Sequence, residues 1–318
     1  MTNISYNLSG KLDSSLVEVL REVNQVATAL GIRFFVVGAM ARDIVLEYCH
    51  ALRTARGTRD LDIGVEVAGW AEIQRLSDGL VATGKFTATR ELQTFRSGMF
   101  RVDIVPFGRI AEGRGKISWP PEHEMFMSTM GFDEAYESAM TLRLSDQPLL
   151  DVKVPTIPGL ALMKVISWHD RYPERSKDAE DLLFLMDHYA EAGNEERLFE
   201  KENEILQAEG FDLVLAGIRL LGRDIAAIAN DATGEVVASI LNNEVEEHDQ
   251  YRLVPDMIKG ARIFDEFNET LEKLKKLAEG FNEGFHKRKD PHSTEINHGL
   301  LPWKLMVMGS AKGMSLAI

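Results

Sequence analysis

One cysteine, Cys49, stands in 318 residues. No intrachain disulfide can form, and a cysteine-based metal cluster is excluded. The chain also lacks any apolar run of about eighteen residues, so no membrane span is expected. Its opening, MTNISYNLSG, lacks the basic-then-apolar pattern of a secretion signal, which makes a cytoplasmic location the expectation. Positive charge is scarce: 36 Lys and Arg face 50 Asp and Glu, for a net charge of -14. Gripping nucleic acid by bulk electrostatics needs clustered cations. That class is excluded, and only a local basic cleft stays open. No internal repeat is present.

What is there can build a core: 45% of the residues are hydrophobic. The length suggests two domains, or one domain with a helical extension. Leu16, Val19, Leu20, Val23 and Val26 recur at helical spacing, which predicts a helix over 14–30, capped by Ser14 or Ser15 and ended by Gly31. Phe34 to Val37 reads as a buried strand closed by Gly38, with a helix over 39–49. Leu61, Ile63 and Val65 alternate with Asp60, Asp62 and Gly64, a two-faced strand. A helix near 69–80 follows, then strands at 86–90, 93–96 and 100–105, with Ser97-Gly98 as a tight turn. Residues 111–124 read as a loop or edge excursion, and 138–154 as further strands. After Pro155 and Pro158 the pattern turns helical, over 158–170, 176–190, 197–208, 211–230, 233–246 and 257–285. The expected divisions are therefore 1–155, 156–286 and a flexible tail, 287–318.

Asp60 and Asp62 lie two apart, so both carboxylates share one strand face while Leu61 and Ile63 point to the core. Two like charges that close repel unless something neutralises them. Magnesium, which takes carboxylate oxygens together with substrate phosphates, would do so. Asp103, alone between Val102 and Ile104, is the third candidate. It can serve the metal that activates the nucleophile, or act as a base on the acceptor hydroxyl. At this acidity, roughly eight acid-x-acid triplets arise by chance, so the pair counts for little without its strand context.

Gly38, between strand and helix, lets a phosphate approach backbone N–H groups. Arg42 lies one turn further on, and Arg56 and Thr58 precede the acidic pair. Arg53, Arg56 and Arg59 form a basic stretch suited to phosphate or a nucleic-acid acceptor, or simply to the surface. Lys164 and Arg171 share a helix face, Ser176 can cap the next helix, and Lys177 and Asp181 form an i,i+4 pair. A lysine aimed at a triphosphate would offset charge developing during transfer. Helix-surface ion pairs are the plainer explanation. His169 reads as a packing or hydrogen-bonding residue.

In order, the segments Val36-Val37-Gly38-Ala39-Met40-Ala41-Arg42-Asp43, Arg56-Gly57-Thr58-Arg59-Asp60-Leu61-Asp62-Ile63, Val102-Asp103-Ile104-Val105, Lys164 and Ser176-Lys177-Asp178-Ala179-Glu180-Asp181-Leu182 resemble the DNA polymerase beta-like nucleotidyltransferase superfamily. Within it they are similar to AbiEii/AbiGii-type nucleotidyltransferases, often the toxins of toxin–antitoxin pairs. The resemblance covers roughly residues 15–190. It implies an α/β (α+β) fold, with a mixed β-sheet core flanked by helices and a helical C-terminal domain after it, and makes 1–155 the catalytic core. It implies Asp60 and Asp62 as metal ligands and Asp103 as the third carboxylate. Lys164, Lys177 and Asp178 fall near the nucleotide, with Gly38, Ala39, Arg42 and Thr58 on its phosphate side. Where the superfamily has Gly-Gly or Gly-Ser, this chain has Gly38-Ala39, so no serine hydroxyl meets the phosphate there.

The expected reaction is magnesium-dependent transfer of a nucleoside monophosphate from a nucleoside triphosphate to an acceptor hydroxyl. By family analogy tRNA comes first, before a protein side chain or a small molecule, and an antitoxin is an expected partner. A non-catalytic binding module, or phosphoryl transfer from the same metal site, are the rival readings.

Overall fold

The computed structural model describes residues 4–54, 57–113, 115–120, 126–247, 251–259 and 264–289. A five-stranded sheet carries the site. It is built from β2 (Arg33–Val37), β3 (Asp60–Glu66), β4 (Thr87–Ala88), β5 (Thr94–Ser97) and β6 (Phe100–Phe107), after a two-residue β1 (Tyr6–Asn7) and the helix α1 (Ser14–Leu30). The strand order is β2-β3-β6-β5-β4, with β3 and β6 parallel and every other pair antiparallel. It is the mixed sheet that the resemblance implies.

Period-two alternation gives this sheet two faces. Val36, Leu61, Ile63, Val65, Val102 and Ile104 join the main core, to which α1 and α3 (Trp70–Ala82) also contribute. Each such side chain, fully buried, contributes about 1.5–3 kcal/mol. The other face is apolar at one end only. There Phe35, Val37 and Phe107 pack on Ala135 and Tyr136 of α4 (Phe132–Glu137), with the Phe35 ring 5.4 Å from both Phe107 and Tyr136. At its other end this face bears the carboxylates.

The segment between β2 and β3 begins as α2 (Gly38–Asp43) and widens into a π-helical turn over Ile44–Cys49. The stretch expected as a loop or edge excursion over 111–124 contributes β7 (Lys116–Ser118), which pairs with β8 (Phe126–Ser128) in a small hairpin. A second sheet, β1-β9-β10, holds β9 (Met140–Asp146) and β10 (Leu149–Val154).

Helices follow: α5 (Ile157–Arg171), α6 (Ser176–His188), α7 (Glu195–Glu200), α8 (Asn203–Ala208), α9 (Leu213–Ile228), α10 (Asp231–Val245), α11 (Leu253–Met257) and α12 (Phe264–Lys289). The helix predicted over 197–208 is broken in two. The Glu202 amide bonds back to the Arg197 carbonyl at 3.0 Å, and the Glu202 carboxylate faces Arg197 and Arg223. Helices α9 and α12 meet at Gly222 and Gly280, where a Cβ on either would run into facing backbone. The last helix runs past the expected 285, to Lys289. Arg288 caps the carbonyls of Ala226 and Ala229, and Lys289 pairs with Glu235 at 2.8 Å. The rest of the expected tail, from 290, lies outside the described residues. Among the described residues no helix is long and apolar enough to cross a membrane.

Candidate active site

Parallel pairing of β3 with β6 sets Asp62 directly beside Asp103, and antiparallel pairing with β2 sets Val37 on its other side. Asp60 shares the face one pair further along, opposite Arg101, and is exposed. Its amide is held by the Thr58 hydroxyl at 3.0 Å. Asp103 accepts a hydrogen bond from the Thr94 hydroxyl and an ion pair from Arg101 Nε at 3.1 Å. Burial, and then the neighbouring Asp103 charge, push the Asp62 carboxyl up to about 6, against the pull of Arg175 and Lys164.

Gly38 closes the approach to this pair. Its φ of +69° is left-handed, and a Cβ there would overlap the Asp62 carboxylate. Only glycine lets the β2–α2 turn come so near. Ala39 follows, half-buried in the first turn of α2.

The facing wall comes from α5 and α6. Lys164 Nζ lies 2.7 Å from both Asp178 and Asp181, and the Ser167 hydroxyl bonds Asp178 at 2.8 Å. Burial would lower the Lys164 pKa, but Asp178 and Asp181 outweigh it and hold the ammonium above its ordinary value. Arg42 joins this cluster from α2, pairing with Asp181 and with Asp43 at 2.6 Å. It is buried there and does not line the cavity. Asp181 thus takes Lys164 and Arg42 as its partners in place of the expected Lys177. Lys177 is exposed on α6, away from the cavity lining.

Between the two walls lies a cavity of about 390 Å³, lined by Gly38, Asp62 and Asp103 on one side and by Lys164, Arg171, Arg175 and Asp178 on the other. Arg171 and Arg175 flank the turn between α5 and α6. Burial, and then the like charge of Arg175, lower the Arg171 pKa. Neither guanidinium has a salt-bridge partner among the described residues. Along the chain Arg171 shares the helix face of Lys164, and no local pattern marks Arg175. Arg53 and Arg59 are exposed, and Arg56 lies outside the described residues.

The chemistry of this donor set fits a divalent cation. Two adjacent carboxylates, one already pushed toward its neutral form, gain from a shared positive charge. Among the described residues no three His, Cys, Asp or Glu side chains are gathered closely enough to hold a metal ion. The fit is therefore to a pair completed by substrate phosphates, the arrangement magnesium favours.

The family described as "Nucleotidyl transferase AbiEii toxin, Type IV TA system" matches residues 23–273. The chain belongs to the AbiEii nucleotidyltransferase family. As a member it is an enzyme of nucleotidyl transfer, and the described cavity is where its acids and cations meet. No curated protein matches this AbiEii chain. Among solved structures, the antibiotic-resistance factor ANT(2'')-Ia is 14% identical, with 63% of this chain and 98% of that chain covered and a TM-score of 0.35. An antigenic nucleotidyltransferase-like protein from Paracoccidioides brasiliensis is 13% identical, with 64% and 94% covered and a TM-score of 0.37. The Thermotoga maritima CCA-adding enzyme complexed with tRNA is 12% identical, with 87% and 83% covered and a TM-score of 0.29.

Proposed function

We propose that this AbiEii enzyme uses magnesium to transfer a nucleoside monophosphate from a nucleoside triphosphate to a hydroxyl of RNA, with tRNA as the first acceptor. The observation that supports it is the opposition, across one cavity, of the Asp62–Asp103 pair and the cations Lys164, Arg171 and Arg175. Asp62 and Asp103 would hold the metal, with Asp60 at the solvent edge of the same face. Bound there, magnesium supplies charge neutralisation at the reacting phosphate and favours an ionised acceptor oxygen.

The protein's own groups do the remainder. The acceptor oxygen bonds to the α-phosphorus, the bond from that phosphorus to the α,β-bridging oxygen breaks, and pyrophosphate leaves with the electron pair. A carboxylate of the pair takes the acceptor's proton. Arg171 and Arg175 face the triphosphate and offset the charge that gathers on the leaving pyrophosphate. Lys164, paired with Asp178 and Asp181, ties α5 to α6 and so fixes the wall from which Arg171 and Arg175 reach the triphosphate.

The biological role we infer is that of a toxin restrained by an antitoxin, as the family's description suggests. Incubation with labelled nucleoside triphosphates, Mg²⁺ and total tRNA tests the reaction. Label on RNA with release of pyrophosphate is the expected result. Label on protein alone would overturn the tRNA assignment, and release of nucleoside diphosphate would overturn nucleotidyl transfer. Growth arrest on expression, abolished by Asp62→Asn, tests the toxin role.

A further inference from the structure

The cavity has a third wall that carries no charge. Trp119, Phe126, Met127 and Met130 line it, all from the β7–β8 hairpin or the residues beside it. The β7–β8 register pairs Ser118 with Phe126, so Trp119, the next residue, and Phe126 stand at the same end of the hairpin. Trp119 is half-buried and braced by Trp70, with ring centroids 5.1 Å apart. Phe126 is not covered: 68% of it is open to solvent, the greatest exposure among the large hydrophobic residues described. The other exposed large hydrophobic residues, Phe199 and Phe211 among them, do not line the cavity.

An aromatic ring held open beside a charged cavity, with no ring partner among the described residues, offers a free π-face. Each nucleobase has a flat face that stacks on such a ring. We infer that Phe126, beside Trp119 at the same end of the hairpin, is a nucleobase platform at the edge of the cavity that receives the triphosphate. This rests on the nucleotidyl-transfer reading. The base belongs either to the incoming nucleotide or to the end of the nucleic-acid acceptor, and both present the same planar chemistry.

Because Phe126 is exposed, its removal leaves the core intact, and Phe126→Ala is a fair probe. Calorimetric titrations with Mg²⁺ would compare the four nucleoside triphosphates, inorganic tripolyphosphate and a short single-stranded oligoribonucleotide. The expected result is that Phe126→Ala weakens a nucleoside triphosphate or the oligoribonucleotide about tenfold, as loss of one base–aromatic stack requires. Tripolyphosphate binding stays at the wild-type level, and Phe126→Tyr restores the lost affinity. Weakening of the nucleotide assigns the platform to the incoming base, and weakening of the oligoribonucleotide assigns it to the acceptor base. Unchanged affinity for both, or an equal loss for tripolyphosphate, would overturn the inference. A wild-type protein that binds no triphosphate of any kind would instead overturn the nucleotidyl-transfer reading beneath it.

Discussion

Asp62 on β3 and Asp103 on β6 are register partners in a parallel strand pair. Their separation is therefore set by the spacing of neighbouring strands, about 4.8 Å, and not by the packing of mobile side chains. Asp62→Asn and Asp103→Asn are each expected to lower the transfer rate at least a thousandfold, since metal-assisted charge stabilisation contributes several kcal/mol. Thermal unfolding should show both variants folded, because each substitution removes a like-charge repulsion. A variant that is folded and fully active would remove these residues from the chemistry.

Lys164 and Lys177 should differ sharply in stability. Lys164→Met leaves Asp178 and Asp181 buried without their shared cation, a loss of about 3–5 kcal/mol for breaking a buried pair. Lys177→Ala, on an exposed helix surface, should lie within about 0.5 kcal/mol of wild type. Urea unfolding of the two variants measures the contrast, and equal losses would contradict the buried network.

Gly38→Ala tests the approach of the β2–α2 turn to Asp62. The left-handed backbone alone costs about 1–2 kcal/mol with a Cβ present. The new methyl group would also displace the Asp62 carboxylate. The expected variant is folded, with a lowered melting temperature and severely reduced turnover. Wild-type turnover would mean that the turn does not constrain the acid.

Cys49 should be inert. Burial pushes its thiol up to about 12, from an open value of 9.0. At pH 8 the native protein should resist iodoacetamide and react only on unfolding. Since the folded pKa is the higher one, this group leaves stability unchanged below about pH 9 and reduces it as pH rises from there toward 12. Rapid labelling of native protein at pH 8 would show an open thiol.

The strand face that carries the acids was legible because alternation is local. Leu61, Ile63 and Val65 declare one side, so Asp60 and Asp62 must take the other. The same holds for Asp103 between Val102 and Ile104. Which cation enters the cavity is not a local property. Lys164, Lys177, Arg42 and Arg175 look equivalent along the chain. Their fates were decided by how α2, α5 and α6 pack: Arg42 was drawn to Asp43 and Asp181, Lys177 turned to solvent, and Arg175 lined the cavity. The β7–β8 hairpin is legible only as a loop or edge excursion, because three-residue strands leave no readable period.

The two walls of the cavity come from separate stretches of the chain. Asp62 and Asp103 belong to the sheet, while Lys164, Arg171 and Arg175 come only after β10. During synthesis, a nascent chain that has emerged through β10 already holds its carboxylates but has nothing across from them to receive a triphosphate. The cavity is thus complete only in a chain long enough for α5 and α6 to dock against the sheet.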